Sequence, residues 1–408
     1  MTFYPQIHIA LPVLNEFENL PTLFNALSEQ SVHRFHLWVC VNNHENLRNS
    51  KSAFPVVENN EKSLQWLKQQ DGMAITVIDK ASKGTGWVDG KGGVGWARKT
   101  IMDAIIAVAH DRDLIVSMDA DTYYPKDYLA EIKATFLAYP NALGLTVPYY
   151  HQLADDSTDR LILRYEIYMR HYLLQLIRIG NPYAFTAIGS AMAFPVWAYR
   201  KVGGLTPVVS GEDFYFIQKL RKSGVVLPWC NTLAYPSPRF SDRVIFGTGP
   251  ALIKGKQEDW SSYPVYHPEA FDQVKKTFSL FPDLYDSDVA TPLDDFFLQR
   301  FKDKFWYYPL RKNYRSQDQF VKACINKVDG LRILQFLREK QPDFQLTDEA
   351  VLSETYAHQW PDLFDFGHNM QEPIWSFESV SVKELNAFRN TLFDEENRLR
   401  MQQLVNCL

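Results

Sequence analysis

The sequence predicts an α/β protein built on a mostly parallel sheet, followed by a mainly helical C-terminal region. Over the first ~250 residues, short β-rich runs alternate with segments whose apolar residues recur at helical spacing. This alternation is the order expected of a parallel sheet with crossover helices. From about residue 260 the β-rich runs stop, and acidic, aromatic-rich helical segments follow. We therefore expect a sheet-containing domain at residues 1–258 and a mainly helical region at residues 259–408.

Four short runs rich in β-branched and aromatic residues are the predicted strands of the sheet. They are IHIALPV (7–13), FHLWVCV (35–41), AITVID (74–79) and DLIVSMD (113–119). Two segments with apolar residues at helical spacing, 19–30 and 97–110, are predicted crossover helices. Because ligands of such sheets bind beyond the carboxyl ends of the strands, functional residues are expected just after each run.

The C-terminal region carries two helix-start signals. Ser316 with Gln319 and Ser381 with Glu384 each have the Ser-x-x-Gln/Glu spacing of a capping box ahead of a helical pattern. A further helical pattern at 160–180 has aromatic, aliphatic and basic residues around its circumference. We expect that helix to pack in the core or between domains, and the alternative is binding at a membrane surface or to a lipid-linked acceptor.

Composition excludes several classes of protein. The chain has 46% hydrophobic and 22% charged residues, as ordinary globular proteins do. Its net charge of -5 argues against a nucleic-acid binder. Its 4 cysteines lie far apart without a C-x-x-C pair, which fits reduced thiols in the cytoplasm. No window approaches the ~20 apolar residues of a transmembrane helix, so we expect at most peripheral contact with a membrane.

Two carboxylates, Asp119 and Asp121, stand at the end of the fourth predicted strand, and residues 122–125 supply a turn after them. Hard divalent cations such as Mg²⁺ and Mn²⁺ prefer oxygen ligands and often bind through one or two carboxylates together with substrate phosphates. The pair therefore indicates a metal-diphosphate site. The alternative is that both carboxylates cap the helix predicted over 125–137.

A second acidic pair, Glu212 and Asp213, follows Gly211 at the start of an amphipathic helical pattern. Carboxylates in the first turn of a helix stabilise it through the helix dipole. The alternative is a general base, which must lie within hydrogen-bond reach of an acceptor hydroxyl. Upstream, Gly189 permits a close backbone approach.

A glycine-rich stretch and a pair of arginines are candidates for contacts with phosphate. The stretch KGTGWVDGKGGVGWARK (83–99) matches neither the P-loop nor the G-x-G-x-x-G motif. Flanked by Lys91 and Arg98, it can still cover a phosphate, and a mobile surface loop is the alternative. Arg239 and Arg243 can grip a diphosphate bidentately, although arginines also pair with surface acids.

Taken in chain order, four segments resemble motifs of the family 2 glycosyltransferases, inverting enzymes of the nucleotide-diphospho-sugar (GT-A) fold. IALPVLNE is similar to the opening strand with Pro-x-x-Asn-Glu, and GWARKTIMDAI to the Ala-Arg-Asn helix. SMDADTYYPKDYL is similar to the Asp-x-Asp segment, and GSAMAFPVWAYRKVGGL with GEDFYFIQKLRKSG to the acceptor segment ending in Glu-Asp. The resemblance covers roughly residues 5–250 and implies a Rossmann-like GT-A catalytic domain.

Carried onto this sequence, the resemblance implies a nucleotide-diphospho-sugar donor, a Mg²⁺ or Mn²⁺ cofactor and a glycan or lipid-linked acceptor. Asp213 is the implied catalytic base, with Glu212 beside it. Asp121 is the implied metal ligand, and Asp119 binds the ribose or donor sugar and is the second candidate for the metal. The residues expected to contact the donor nucleotide are Pro12, Asn15, Glu16, Asn42, Lys91, Arg98, Asp119 and Arg243.

The sequence departs from the family pattern in three places. Asn42 stands where the family often has an aspartate that reads uracil, and because an amide both donates and accepts, the base stays open. Lys99 replaces the usual asparagine of the Ala-Arg-Asn helix. The absence of Gln-x-x-Arg-Trp and of membrane helices argues against a processive synthase. A sugar-phosphate nucleotidyltransferase and a non-catalytic nucleotide-sugar scaffold protein are the competing hypotheses.

Overall fold

A computed structural model describes residues 5–88, 90–186, 188–208, 210–242, 247–359, 375–405 and 407. The described residues fall into two compact units. Unit 1 takes in the described parts of Met1–Ile162, Phe185–Glu258 and Asn397–Leu408, and unit 2 those of Leu163–Ala184 and Asp259–Glu396. In the part of the chain so described, no helix is long and apolar enough to cross a membrane.

Unit 1 contains all the strands found in the described residues. They are β1 (Ile7–Val13), β2 (Phe35–Asn42), β3 (Ala74–Lys80), β4 (Leu114–Ser117), β5 (Thr122–Tyr123), β6 (Gly144–Thr146), β7 (Met192–Pro195), β8 (Val226–Leu227) and β9 (Tyr235–Pro236). Seven of them form one sheet in the order β3-β2-β1-β4-β7-β6-β8, and β5 pairs with β9. Every residue of β1 is buried, as expected for a central strand covered on both faces.

The sheet is mostly parallel, as predicted. Strands β3, β2, β1 and β4 run in one direction, and β8 is parallel to β6. Only β7 among the described strands of this sheet runs against its neighbours, pairing antiparallel with β4 and β6. The predicted α/β class is confirmed.

Helices cover the sheet and make up the C-terminal region. Those that begin before residue 259 are α1 (Leu20–Ser28), α2 (Phe54–Leu67), α3 (Gly93–Ile106), α4 (Tyr128–Ala138), α5 (Asp159–Arg178), α6 (Val196–Lys201), α7 (Glu212–Ser223) and α8 (Thr248–Lys256). The later ones are α9 (Pro268–Ser279), α10 (Asp283–Asp286), α11 (Asp294–Phe301), α12 (Tyr308–Asn313), α13 (Gln317–Lys327), α14 (Gly330–Lys340), α15 (Asp348–Gln359) and α16 (Val382–Val405). The helical C-terminal region is thus confirmed.

The predicted capping box forms in full at Ser381, and at Ser316 the serine side chain caps the helix. The Oγ of Ser381 accepts the backbone N–H of Glu384 at 3.2 Å, and the Glu384 carboxylate accepts the N–H of Ser381 at 3.0 Å. Ser316 accepts the N–H of Gln319 at 3.3 Å. The helical pattern that follows Ser316 is divided, because Asp329 caps α14 by accepting a backbone N–H at 3.2 Å.

Helix α5 corresponds to the helical pattern at 160–180. Its apolar side chains Leu163, Ile167 and Leu174 are buried. Core packing, rather than contact with a membrane surface, therefore accounts for its apolar residues.

Strand order brings the site together. The chain leaves β1 toward β2 on one side and returns through α3 to β4 on the other, so the carboxyl ends of β1 and β4 lie side by side. This point, where the strand order reverses, is where ligands of open α/β sheets bind. Strand β4 ends at Ser117, two residues before the predicted end, because the N–H of Asp119 donates to the hydroxyl of Tyr124 at 2.9 Å.

Candidate active site

A buried arginine joins the two acidic pairs singled out in the sequence. Arg98 lies on α3 with a side chain 4% exposed, and its guanidinium donates to the carboxylates of Asp119 and Glu212. The bond to Asp119 Oδ1 measures 2.5 Å. Burial by itself lowers the pKa of Arg98, but the negative charges of Asp119, Glu212 and Asp213 raise it by more. The net pKa is therefore above the usual value, and the guanidinium stays charged. Three acidic residues from two segments thus share one cation.

Glycines make room for this arginine. The guanidinium of Arg98 packs against Gly189. A Cβ atom at position 189 would clash with it. On α3 itself, a Cβ at Gly95 would come within 2.5 Å of the backbone oxygen of Val208, so glycine permits α3 to approach the segment before α7. Helix α3 starts earlier than predicted, at Gly93, and the positive φ values of Gly92 and Gly93, 140° and 80°, mark the turn that leads into it.

Asp213 is the titratable group of the site whose pKa is shifted toward neutrality. It lies beside Glu212 in the first turn of α7, after Gly211 in a left-handed conformation with φ of 78°. Burial, and then the charge of Glu212, raise the pKa of Asp213 to about 7, while Arg98 opposes the rise. One oxygen of Asp213 accepts the N–H of Phe214 at 2.7 Å. A carboxyl of this pKa, partly open to solvent, can take and release a proton near neutral pH.

A second arginine spans the ends of β1 and β4. Arg239 follows β9, and its guanidinium pairs with Glu16 and, at 2.6 Å, with Oδ2 of Asp121. Glu16 is buried and also accepts the side-chain amide of Asn19 at 2.5 Å. The pairing of β5 with β9 brings this arginine to the Asp-x-Asp segment. The sequence suggested Arg239 as a diphosphate ligand, but nothing in it indicated these partners.

The alternative that Asp119 and Asp121 cap the next helix does not hold. Helix α4 begins at Tyr128, and its N-cap position is Asp127. Glu212 and Asp213, in contrast, do occupy the first turn of α7, so the helix-start interpretation is correct for their position.

Asn42 both donates and accepts side-chain hydrogen bonds within the protein. Its side chain is buried, donates to the carbonyl of Val13 at 2.9 Å and accepts the indole N–H of Trp87 at 3.0 Å. In the same layer, Asn60 donates to the carbonyl of Asn42 at 3.1 Å and accepts the N–H of Asn15 at 2.8 Å. The amide of Asn42 therefore ties β1 to the glycine-rich stretch.

Backbone amides of that glycine-rich stretch bind a carboxylate of the protein itself. Glu45 accepts the N–H of Gly84 at 2.9 Å and of Gly86 at 3.0 Å. Lys91 is exposed and its ammonium lies 5.3 Å from the ring of Trp96. Sequence reasoning missed Glu45, because a single glutamate after a strand gives no sign of two distant glycine partners.

The remaining residues that were predicted to contact the donor nucleotide differ in how deeply they are buried. Pro12 is buried inside β1, where it pairs with Cys40 of β2. Asn15 is exposed just beyond the strand, with a φ of 56° that asparagine tolerates better than most residues. Arg243 lies outside the described residues.

The Asp-x-Asp carboxylates can contribute to a divalent-cation site but do not complete one. Each accepts from an arginine through one oxygen, Asp119 from Arg98 and Asp121 from Arg239. Within the described ranges, no group of three or more His, Cys, Asp or Glu side chains is arranged to hold a metal ion. The donor atoms fit a hard cation, and the missing ligands would be oxygens of a bound diphosphate.

Comparison with known families agrees with the class that this site suggests. Residues 114–274 match the family model described as glycosyl transferase family group 2. The match includes both acidic pairs and Arg239. The resemblance to the family 2 glycosyltransferases is thereby confirmed over this segment, which is similar to the glycosyltransferase enzymes of that family.

Comparison with solved structures gives remote likenesses. S. aureus TarS 1–349 in complex with UDP-GlcNAc is 14% identical, covering 98% of this chain and 91% of that one, with a TM-score of 0.38. Mannosyltransferase PcManGT from Pyrobaculum calidifontis, in complex with GDP-Man and Mn²⁺, is 13% identical, covering 97% and 88%, with a TM-score of 0.40. Neither likeness is high enough to define a ligand here. No curated protein matches the chain.

Proposed function

We propose that this protein is an inverting glycosyltransferase that moves a sugar from a nucleotide-diphospho-sugar to a hydroxyl of a glycan or a lipid-linked acceptor. The observation that carries the proposal is the buried Arg98, which holds Asp119 of the Asp-x-Asp segment and Glu212 of the Glu-Asp pair on one guanidinium. This arrangement sets the donor-side carboxylates beside a carboxyl, Asp213, whose pKa is raised to about 7.

In the proposed reaction, Asp213 is the general base. Its ionised carboxylate takes the proton of the acceptor hydroxyl while the acceptor oxygen forms a bond to the anomeric carbon of the sugar. The bond between that carbon and the diphosphate oxygen breaks on the opposite side, and the configuration inverts. A base with a pKa near 7 is well matched to such a transfer, because it is largely ionised just above neutral pH and still binds a proton firmly.

Arg98 acts in this scheme as a positioning residue. It neutralises Glu212, which would otherwise raise the pKa of Asp213 further. It also holds Asp119 Oδ1, and the second oxygen of Asp119 would accept from a hydroxyl of the donor sugar or ribose. Removing the cation would leave buried carboxylates uncompensated, so the site depends on it for both geometry and charge.

A divalent cation fits the proposal as a partner of the diphosphate. Asp121 and Asp119 would hold Mg²⁺ or Mn²⁺, which supplies neutralisation of the charge that develops on the departing diphosphate. Arg239 pairs with Asp121 at 2.6 Å and with Glu16, so its guanidinium must leave or share Asp121 when a cation binds. Once released, a guanidinium is suited to bidentate contact with phosphate.

Donor hydrolysis tests the proposal without knowledge of the acceptor. The purified protein is incubated with a panel of nucleotide-sugars, with and without Mn²⁺, and release of nucleoside diphosphate is measured. We expect metal-stimulated hydrolysis of at least one donor, and D213N should lower its rate on the order of 10²–10⁴-fold. D71N, which changes an exposed aspartate to the same amide, is the matched control.

The competing hypotheses predict different results in the hydrolysis assay and in two companion measurements. A scaffold protein binds a nucleotide-sugar in calorimetry but releases no nucleoside diphosphate. A nucleotidyltransferase releases pyrophosphate from a nucleoside triphosphate and a sugar phosphate. Full hydrolytic activity in a folded D213N or D121A variant would remove the roles proposed for these two residues.

A further inference from the structure

One stretch of unit 2, residues 298–315, exposes an unusual density of large apolar side chains. Among the described residues of this unit, five of the six exposed large apolar side chains lie here. They are Leu298, Phe301, Phe305, Tyr308 and Tyr314, each between 38% and 45% exposed. We call this stretch the aromatic-basic patch. Exposed apolar residues that occur singly need no explanation, but a concentration of this kind marks an interaction surface.

The rings of the aromatic-basic patch rest on a continuous aromatic layer. Phe301 contacts Phe297 with ring centroids 5.6 Å apart, and Phe297 stacks on the buried Trp306 at 4.8 Å. Trp306 in turn contacts Tyr307 at 5.6 Å, and Tyr307 contacts Phe305 at 6.3 Å. The exposed rings of Phe301 and Phe305 are therefore joined by one aromatic layer, through the buried Trp306 and Tyr307.

The patch is also strongly basic in an acidic protein. Residues 298–315 contain six Lys or Arg and one acidic residue, Asp303, a net charge of +5 in a chain of net charge -5. Arg311 has a structural role, since it pairs with Asp288 at 2.9 Å and donates to the carbonyl of Ser287 at 2.8 Å. The other five, Arg300, Lys302, Lys304, Lys312 and Arg315, are exposed and form no ion pair with any described residue.

We infer that the aromatic-basic patch docks the protein on the surface of an anionic lipid bilayer. Aromatic rings favour the boundary between headgroups and acyl chains, and long basic side chains reach lipid phosphates while their stems cover apolar surface. A protein partner fits less well, because lysine is depleted at protein interfaces. A soluble polyanion would use the basic side chains but would not require exposed Leu298 and Phe301 among them.

Helices α11 and α12 present the patch as a formed surface. The last residue of α11, Phe301, is exposed, and the chain then turns through Lys302 with a φ of 56° toward α12. Helix α12 is held by Arg311, and the hydroxyl of Tyr308 donates to Asp288. Docking therefore needs no ordering of this stretch, and it does not depend on glycosyl transfer.

Vesicle flotation without any sugar donor tests the inference. Vesicles of phosphatidylcholine alone are compared with vesicles of equal parts phosphatidylcholine and phosphatidylglycerol, at low and at high salt. We expect the protein to float with the anionic vesicles only, and to be released by salt. Two patch variants separate the contributions: K304E/K312E/R315E reverses charge, and F305S/Y314S removes rings.

Matched controls carry the same kinds of change elsewhere. K51E/K62E/K68E reverses three exposed lysines of unit 1, and F54S/L137S removes two exposed apolar side chains there. The charge variant of the patch should lower binding on the order of 100-fold or more, and the ring variant on the order of 10-fold, while the controls bind as the wild type does. Circular dichroism melting shows that each variant is folded.

Three results would overturn the inference. The first is that the wild-type protein does not float with anionic vesicles. The second is that the patch variants and their controls bind equally. The third is that the ring variant binds vesicles as well as the wild type and soluble polyphosphate competes fully, which would assign the patch to a polyanion.

Discussion

Replacing Asp213 with asparagine should make the protein more stable while it removes the proposed base. The pKa of Asp213 is raised from 3.8 to about 7, first by burial and then by Glu212, with Arg98 opposing. Because the folded protein binds this proton more tightly than the unfolded chain does, ionisation of the carboxyl destabilises the fold. The cost is absent below the unfolded pKa, grows as the pH rises, and is complete above about pH 7.

The size of the effect follows from that pKa. A rise of about three pKa units corresponds to ~4 kcal/mol at ~1.4 kcal/mol per unit. Because Asp213 retains some contact with solvent, we expect D213N to gain about 1–3 kcal/mol at pH 8. At pH 5 the wild-type carboxyl is mostly protonated in the folded protein, so the gain should fall to less than half of that.

Thermal melting followed by circular dichroism at pH 5 and pH 8 measures the gain. We expect a melting temperature higher by a few degrees at pH 8. The D71N variant, with an exposed aspartate changed in the same way, should show no such pH-dependent gain. A D213N variant that is less stable than the wild type at pH 8, or that gains equally at both pH values, would refute the reasoning about its pKa.

Three further variants test other charges of the candidate active site. E212Q removes a like charge, so the rise of donor hydrolysis with pH, centred at about 7 for Asp213, should move to lower pH by about one unit or more. R98M should lose about 3–5 kcal/mol in urea denaturation because buried carboxylates lose their cation, and R98K should lose less. R239A removes the ion pair between Arg239 and Asp121, so it should lower the Mn²⁺ concentration that gives half-maximal hydrolysis, and an unchanged value would show that Arg239 does not compete for the metal ligand.

Local patterns predicted the elements well where the elements are buried or capped. Strands β1 and β2 match their predicted runs to within one residue, because every side chain of a central strand is apolar or fits a buried pleat. The start of α16 followed from Ser381 and Glu384, which form both bonds of a capping box. In such cases the deciding interactions join residues a few positions apart.

Prediction was less accurate where a distant residue decides the local structure. Strand β4 ends early because Asp119 bonds to the hydroxyl of Tyr124, which itself donates to the carbonyl of Ser190 at 3.2 Å. Asn42 was expected to face a nucleobase, yet its amide bonds to Trp87, forty-five positions away. No spacing rule relates such pairs. The expected contact of Asn42 with the base of the nucleotide stays a prediction.

The sequence by itself determined the α/β class, the family resemblance and the two acidic pairs, because each depends on short-range patterns of apolar and acidic residues. Only the tertiary structure decided which charges meet. Arg98 lies 21 positions from Asp119 and 114 from Glu212, and Arg239 lies 223 from Glu16. These pairs form because α3 and the start of α7 meet where β1 and β4 end, and because the pairing of β5 with β9 brings Arg239 to the same place. Burial there makes each charge depend on its partner.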